Sequence, residues 1–198
     1  MIPSANKDQQ LAAIKAATLI ESLPWLQEFH NKVVVVKFGG NAMIDKDLQR
    51  AFAEDMAYLR WVGIKPVVVH GGGPQISARL AELGIESEFK GGLRVTTAET
   101  IEVVRDVLRN QISAELAAMI ADAGAEPIIM SGEDNFLFQA KQIFLETEDG
   151  PEDIGFVGEL VQENDGVVQL FQADGMGVLR LAKGSERLED RAELAAIT

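Results

Sequence analysis

Two stretches of this chain combine a run of valines with a cluster of glycines, and they constrain the fold more than any other feature. The second of them, Val67 to Ile76, reads V-V-V-H-G-G-G-P-Q-I. A short apolar run is typical of a strand buried on both faces of a parallel sheet. Glycines at its end allow a sharp turn and leave backbone N–H groups uncovered by side chains.

Pro74 follows the three glycines, at a position where a helix can begin. Proline is favoured in the first helical turn because its missing N–H would have no partner there. The other N–H groups of that turn, and the partial positive charge of the helix end, favour an anion such as phosphate or carboxylate. A tight turn without a ligand is the alternative, but such a turn needs fewer glycines. We therefore interpret this stretch as an anion-binding turn.

The first stretch repeats the pattern. Lys32 to Lys37 (K-V-V-V-V-K) predicts a buried strand, which ends in Phe38-Gly39-Gly40-Asn41. A helix predicted from about Asp47 to Trp61 leads to the second stretch, so residues 32–70 form a β-α-β unit. Parallel strands place both glycine loops at the same carboxyl edge of the sheet, where open α/β folds bind ligands. Two interpretations of Lys37 stay open: a cation held over a bound anion, or a solvated lysine at a strand end.

Further periodicities predict the remaining elements. Helices and strands alternate along the sequence, which favours an α/β fold with an open, mainly parallel sheet between helices. Glycines between short alternating segments predict two β-hairpins. The predictions are helices over 8–29, 76–83 and 97–124, a buried strand over 126–131, hairpins over 89–95 and 136–161 with Asp149-Gly150-Pro151 in the second turn, a helix or strand over 167–171, a short strand over 178–181 and an exposed helix over 183–196.

Two of the predicted helices have more than one interpretation. The helix over 8–29 precedes the first strand, and Pro24 is expected to kink or end it. Such a helix either packs on the sheet, which is the commoner arrangement, or reaches another subunit. In the helix over 97–124, an apolar stripe from Ile101 to Met119 is either part of the core or a dimer seam.

Arg94 lies in the first predicted hairpin. It alternates with Leu93 and Val95, so its side chain is expected on the opposite face of the strand. A guanidinium directed over the glycine loops would clamp a carboxylate. The other interpretation, a surface arginine, is the commoner one for an arginine taken alone.

The overall composition excludes several classes of function. Acidic residues outnumber basic ones by 31 to 18, and the net charge of −13 argues against nucleic acid or an anionic membrane as the main partner. The chain has no cysteine, which excludes disulfides, thiolate metal sites and a thiolate nucleophile. No apolar stretch has the length of a membrane span or the pattern of a signal peptide, so we expect a cytoplasmic protein.

Four motifs occur in a recognisable order: K-F-G-G-N-A-M at 37–43, V-V-V-H-G-G-G-P-Q-I at 67–76, G-G-L-R-V-T at 91–96 and D-I-G-F-V-G-E at 153–159. In order and spacing they resemble the acetylglutamate kinases of the amino-acid kinase family. The combination of H-G-G-G-P-Q-I with G-L-R-V-T is specific to the acetylglutamate enzymes. The resemblance covers residues 1 to about 162 and implies the N-terminal lobe of the amino-acid kinase fold, with an N-terminal helix extension.

The resemblance implies phosphoryl transfer from ATP, with Mg²⁺, to the side-chain carboxylate of N-acetyl-L-glutamate, a step of arginine biosynthesis. Positioning and charge neutralisation are sufficient for such a reaction, without a covalent enzyme intermediate or a protein-bound metal. The resemblance assigns roles to six residues: Lys37 as the catalytic cation, Gly39 and Gly40 as the nucleotide-phosphate loop, and Gly72, Gly73 and Arg94 as substrate contacts.

The resemblance also divides the chain into three parts. Residues 1–30 are similar to the helix that joins dimers into rings in arginine-sensitive, hexameric members, and residues 31–162 are similar to the acetylglutamate-binding lobe. Residues 163–198 are a divergent segment in place of the ATP-binding lobe. The Asn-x-Asn-Ala-Asp loop of the family's second half is not found after Gly158.

Two functions therefore stay open. The first is an acetylglutamate kinase. The second is a non-catalytic module that binds acetylglutamate and forms homo-oligomers, as a dimer through the 97–124 helix and as a ring through the N-terminal helix. Another kinase of the same superfamily fits the combination of motifs least.

Overall fold

In the computed structural model, the described residues are 7–134, 137–163 and 177–180. They contain a four-stranded sheet, two hairpins and five α-helices. The helices are α1 (Lys7–Phe29), α2 (Lys46–Trp61), α3 (Gly73–Glu82), α4 (Ala98–Arg105) and α5 (Ala114–Asp122), with a 3-10 helix at Gly40–Met43 and a π-helix at Asp106–Ser113. The strands are β1 (Val33–Phe38), β2 (Lys65–His70), β3 (Phe89–Lys90), β4 (Leu93–Arg94), β5 (Ile128–Met130), β6 (Phe138–Thr147), β7 (Gly150–Glu163) and β8 (Gly177–Arg180).

The four-stranded sheet has the order β1-β2-β8-β5, and all its neighbouring strands are parallel. This confirms the predicted α/β fold. The short strand predicted over 178–181 corresponds to β8, which lies between β2 and β5. The predictions over 167–171 and 183–196 lie outside the described residues.

The main hydrophobic core lies between the sheet and the helices α2 and α5. Phe38 and Val68, on neighbouring strands, contribute to it together with apolar residues of both helices. A second cluster packs α3 against the π-helix through Leu80 and Leu108. The helix that follows the second glycine loop is therefore held against the 98–122 helical region.

The predictions that the strands over 32–37 and 126–131 are fully buried are wrong. Val35 is 38% exposed, and Ile128 and Ile129 are 39% and 36% exposed. β1 and β5 are the two edge strands of the described sheet. An apolar run predicts the strand, whereas its burial depends on neighbours at both sides and on a covering layer over each face.

Of the two interpretations of the N-terminal helix, packing on the sheet is not observed among the described residues, because α1 has no buried residue. Pro24 does not end it, since α1 continues to Phe29 as a single element. At about 100° per residue, its large apolar side chains occupy more than half of the helix circumference rather than one stripe. Those that are exposed are Leu11, Ile14, Leu19, Ile20, Leu23, Trp25 and Phe29.

The helix predicted over 97–124 consists of three consecutive segments: α4, the π-helix and α5. In a π-helix each N–H pairs with the carbonyl five residues earlier, and such segments frequently occur at functional sites. Leu108 and Leu116 of the apolar stripe are buried, and Ile112 and Met119 pack against the same two clusters. The core interpretation of the stripe is therefore confirmed for these residues.

Both predicted hairpins are present. β3 and β4 are joined by Gly91 and Gly92, which both have positive φ (56° and 80°), as a two-residue hairpin turn requires. β6 pairs with β7 in antiparallel register. Gly150 and Pro151, predicted in the second turn, instead begin β7.

The motif at 153–159 docks on the motif at 91–96. The N–H of Thr96 donates to Ile154 O (2.9 Å), and the N–H of Phe156 donates to Thr96 O (2.7 Å). Between them, Gly155 has a φ of 80°, and a Cβ on it would collide with the Thr96 carbonyl. Lys90 forms an ion pair with Glu152 across the same junction, and this hydrogen bond raises the pKa of Lys90.

We expect Gly155→Ala to destabilise the protein by at least about 2 kcal/mol more than Gly92→Ala. Both glycines have a φ of 80°, so both variants carry the cost of a positive φ. Gly92 has open space where a Cβ would lie, whereas Gly155 faces the Thr96 backbone. Urea denaturation of the two variants measures the difference, and equal losses of stability would contradict this account of the junction.

Candidate functional site

Lys37 and the two glycine loops lie at one edge of the sheet. The parallel register of β1 and β2 pairs Lys37 with Val69 and Phe38 with His70. The segments Gly39-Gly40 and Gly71–Gly73 therefore leave neighbouring strands at the same carboxyl end, as predicted. Lys37 is exposed, so its ammonium is accessible to an anion at this edge.

The second loop leads directly into α3. Gly72 is the N-cap residue, Gly73 is the first helical residue and Pro74 lies in the first turn, which confirms the prediction for Pro74. Neither the Gly72 N–H nor the Gly73 N–H has an acceptor among the described residues. Two backbone donors at the positive end of a helix favour an anionic group.

Gly72, the middle glycine of the loop, packs against the π-helix, whereas the space beside Gly71 and Gly73 is open. A Cβ on Gly72 would lie 2.6 Å from Ile112 Cδ1 and 2.7 Å from Leu108 Cδ2, both in the π-helix. A Cβ on Gly71 or Gly73 would meet nothing within 4 Å. One side of the loop therefore rests on the π-helix, and the glycines on either side leave space for a ligand.

His70 is the polar residue that the sequence argument missed. It is 1% exposed, and the contacts of its ring include Nδ1 at 2.9 Å from Gly71 O and Nε2 at 2.7 Å from Ser113 Oγ. The Ser113 hydroxyl also lies 2.8 Å from Leu108 O. The available signal was a histidine at the end of an otherwise apolar run, but its partner Ser113 lies 43 residues further along the chain.

Arg94 is held beside α3. Its Nη2 donates to Ser77 Oγ (2.9 Å), its Nη1 donates to Ser87 Oγ, and its Cζ lies 4.5 Å from the centre of the Phe89 ring. Partial burial lowers the pKa of the guanidinium from its usual value, and arginine keeps its charge even so. Ser77 follows Gly73 by about one helical turn, so Arg94 lies near the start of α3 rather than on an unrelated surface.

The six residues singled out from the sequence thus occupy two connected places. Lys37 and the four glycines lie at the ends of β1 and β2 and at the start of α3. Arg94 lies beside the second turn of the same helix. In the described part of the chain, no contact joins Lys37 to Arg94.

A cleft near these loops is a separate feature. It has a volume of about 220 Å³ and is lined by Phe38, by residues that follow the first loop, by Gln75 and by the 111–119 helical region, but not by Lys37 or Arg94. Gln49 and Gln75, which both line it, have buried side-chain oxygens without a hydrogen-bond donor among the described residues. Lys46 and Glu115, which form an ion pair, also line the cleft, so its charge is mixed and we do not assign the anionic ligand to it.

The described residues contain no group of three or more His, Cys, Asp or Glu side chains placed to hold a metal ion. Within the same ranges, no helix has the length and apolar character needed to cross a membrane.

Comparison with known proteins agrees with this geometry. The model of the amino acid kinase family matches residues 32–179, which include both glycine loops and most of β8. The chain therefore belongs to the amino acid kinase family, and the family resemblance of the motifs is confirmed.

The names of the similar curated proteins are more specific than the description of the family. The chain is 56% identical over 158 residues to the acetylglutamate kinase of Clavibacter michiganensis, covering 80% of this chain and 52% of that one. It is 53% identical over 169 residues to the acetylglutamate kinase of Saccharopolyspora erythraea, covering 85% and 56%. The chain thus spans about half the length of these curated relatives.

A solved structure confirms the fold at lower sequence similarity. N-acetylglutamate synthase from Neisseria gonorrhoeae superposes with a TM-score of 0.66 at 18% identity, covering 83% of this chain and 37% of that one. At this level of identity the likeness concerns the fold alone.

We expect Gly72→Ala and Gly73→Ala to differ in stability, although the two residues are adjacent. The Gly72 variant inserts a methyl group against Leu108 and Ile112, and overpacking of this kind costs about 1–3 kcal/mol. A Cβ on Gly73 would meet nothing within 4 Å apart from its chain neighbours, so the Gly73 variant lacks this overpacking. Urea denaturation measures both, and a larger loss for Gly73→Ala would contradict the packing described here.

Proposed function

We propose that this chain forms the acceptor-binding part of an acetylglutamate kinase, which phosphorylates the side-chain carboxylate of N-acetyl-L-glutamate with ATP and Mg²⁺. One observation carries the proposal: the register of β1 and β2 brings Lys37 and both glycine loops to one edge. The identity of 56% and 53% to proteins named acetylglutamate kinase supports this choice of substrate. We place the reaction in the cytoplasm, as the composition favours.

The proposed acceptor site uses backbone N–H donors and the guanidinium of Arg94. The N–H groups of Gly72 and Gly73, which lack acceptors among the described residues, hold the acceptor at the positive end of α3. Arg94, tied to Ser77 on the same helix, binds the α-carboxylate. One short helix thus positions two kinds of contact, which limits how far the acceptor can rotate.

The proposed transfer step runs through positioning and neutralisation of charge. An oxygen of the acceptor's side-chain carboxylate attacks the γ-phosphorus of ATP, the bond from that phosphorus to the bridging oxygen breaks, and ADP leaves. The product is an acyl phosphate. Gly39 and Gly40 lie against the nucleotide phosphates, and the exposed ammonium of Lys37 neutralises the transferred group. Mg²⁺ arrives with ATP as part of that substrate.

A non-catalytic module that binds acetylglutamate and oligomerises is the second candidate. The nucleotide distinguishes the two functions, because both share the acceptor site. Calorimetry with N-acetylglutamate and with Mg·ATP in separate titrations therefore decides between them. Binding of both, with acetylglutamyl phosphate formed, supports the kinase; binding of the acceptor alone supports the module.

For the acceptor site, we expect Arg94→Lys to weaken N-acetylglutamate binding about tenfold, the scale for losing one hydrogen bond to a charged group. Lysine keeps the charge but loses the planar fork that matches a carboxylate. Arg79→Lys is the matched control: Arg79 lies on α3 and pairs with Glu82 at 2.9 Å, away from the proposed contact. Calorimetry that finds the two variants equally affected would contradict the role of Arg94.

We also propose that the protein is a homo-oligomer, with α1 as one contact. α1 exposes seven large apolar side chains and has no buried residue, which is unusual for a helix that stays in solvent.

We expect Leu19→Glu to shift sedimentation toward smaller species, since Leu19 is 66% exposed on this helix. Gln10→Glu adds the same charge to α1 at a polar position and is expected to leave the assembly intact. A wild-type chain that sediments as a monomer would contradict the proposal.

A further inference from the structure

We propose that His70 is a positioning residue: its ring fixes the orientation of the Gly71–Gly72 peptide, and thereby directs the Gly72 N–H toward the acceptor. The inference deepens the proposed function, on which the identity of the acceptor rests. The geometry of the peptide itself is independent of that identity. His70 is thus assigned a role that acts through the loop, without contact to the substrate.

A hydrogen bond joins the His70 ring to the carbonyl of the next residue, Gly71. His70 Nδ1 lies 2.9 Å from Gly71 O. A carbonyl oxygen can only accept, so a hydrogen bond at this distance requires the proton on Nδ1. The contact therefore calls for a proton on Nδ1, in the neutral or the doubly protonated ring, and it sets the direction of the Gly71 carbonyl.

The direction of the Gly72 N–H follows from the planarity of the peptide bond. In a trans peptide, the C=O of one residue and the N–H of the next point in opposite directions within one plane. The Gly71 carbonyl points to the buried His70 ring, so the Gly72 N–H points away from it. This N–H has no acceptor among the described residues. The ring thus determines that the loop presents a donor at this position.

The ring of His70 is anchored by Ser113. His70 Nε2 lies 2.7 Å from Ser113 Oγ, and both residues are 1% exposed. Ser113 Oγ also lies 2.8 Å from Leu108 O, five residues earlier, which is the spacing of the π-helix. Its single proton goes to Nε2 when the ring is neutral with Nδ1 protonated, and to Leu108 O when Nε2 also carries a proton. The π-helical geometry brings this hydroxyl to the ring.

The same segment of the π-helix also supports the other side of the loop. Leu108 and Ile112 lie where a side chain on Gly72 would go. The loop is therefore held by the packing of Leu108 and Ile112 at Gly72 and by the His70 hydrogen bond at Gly71 O, and Ser113 anchors the ring that makes that bond.

A matched pair of variants separates this role from that of an ordinary buried histidine. In His70→Asn, the side-chain amide nitrogen lies near the position of Nδ1 and can donate to Gly71 O. In His70→Gln, the amide nitrogen lies near the position of Nε2 and can contact Ser113, but Gly71 O loses its donor. Both replace the ring by a neutral amide, so a merely structural role predicts similar effects in the two.

We expect N-acetylglutamate binding by His70→Asn to stay within about threefold of the wild type and binding by His70→Gln to weaken about tenfold or more, by calorimetry. Urea denaturation of each variant shows that it is folded under the same conditions. Equal weakening in the two folded variants, or no weakening in either, overturns the proposal. The reverse order overturns it as well.

A second measurement needs no acceptor and separates this inference from the proposed function. In the wild-type protein, ¹⁵N chemical shifts of the His70 ring are expected to show a proton on Nδ1, and an unprotonated Nδ1 overturns the proposal. In the ligand-free variants, the Gly72 amide shift should stay near the wild-type value in His70→Asn and move in His70→Gln. If the wild type does not bind N-acetylglutamate, the proposed function fails, and these shifts still decide the orientation of the peptide.

Ser113→Ala tests the anchor if His70→Gln does not fold. It leaves the ring and its Nδ1 proton in place but removes the group that holds Nε2. We expect a shifted Gly72 amide and about threefold weaker binding of the acceptor. An unchanged Gly72 amide in this variant contradicts the proposed link between the π-helix and the loop.

Discussion

The candidate site depends on one interaction, the parallel pairing of β1 with β2. Its register aligns Phe38 with His70, so both chains leave the sheet at the same level and turn into their glycine loops. A shift by one residue would turn the side chains of one strand to the opposite face of the sheet. For β2, that shift would remove His70 from Ser113 and Val68 from the core below α2 and α5. The pairing therefore determines the core and the geometry of the loops together.

Much of this could be predicted because it follows from local rules. A valine run that ends in glycines defines a strand and a turn, and Pro74 marks the first turn of α3. Gly91-Gly92 defines a two-residue hairpin because both positions have positive φ. Parallel strands then require the two loops to lie at one edge. The roles of Lys37 and Arg94, in contrast, came from the resemblance to a family, since the residues alone left both open.

The remaining features could not be predicted because they depend on distant parts of the chain. Val35 is exposed on β1, an edge strand of the described sheet, and neither the strand order nor the cover over a sheet face can be read from a valine run. The place of Gly155 is set by the backbone of Thr96, about sixty residues earlier. The π-helix looks like an ordinary amphipathic helix in sequence, because its periodicity differs little over eight residues. His70 was therefore passed over, although its contact with Ser113 links that helix to the loop.

The direction of one peptide matters more here than it would in a basic protein. The chain carries a net charge of −13, so the proposed anionic acceptor would approach against the field of the whole molecule and would have to be held by local donors and cations. At Gly72, reversal of the Gly71–Gly72 peptide would replace an N–H by a carbonyl oxygen and turn an attraction into a repulsion. Glycine itself offers little resistance to such a reversal, because it lacks a Cβ. A glycine loop that binds an anion in an acidic protein thus needs another residue to hold its peptide in one orientation. We propose that the buried ring of His70 does this through its contact with Gly71 O.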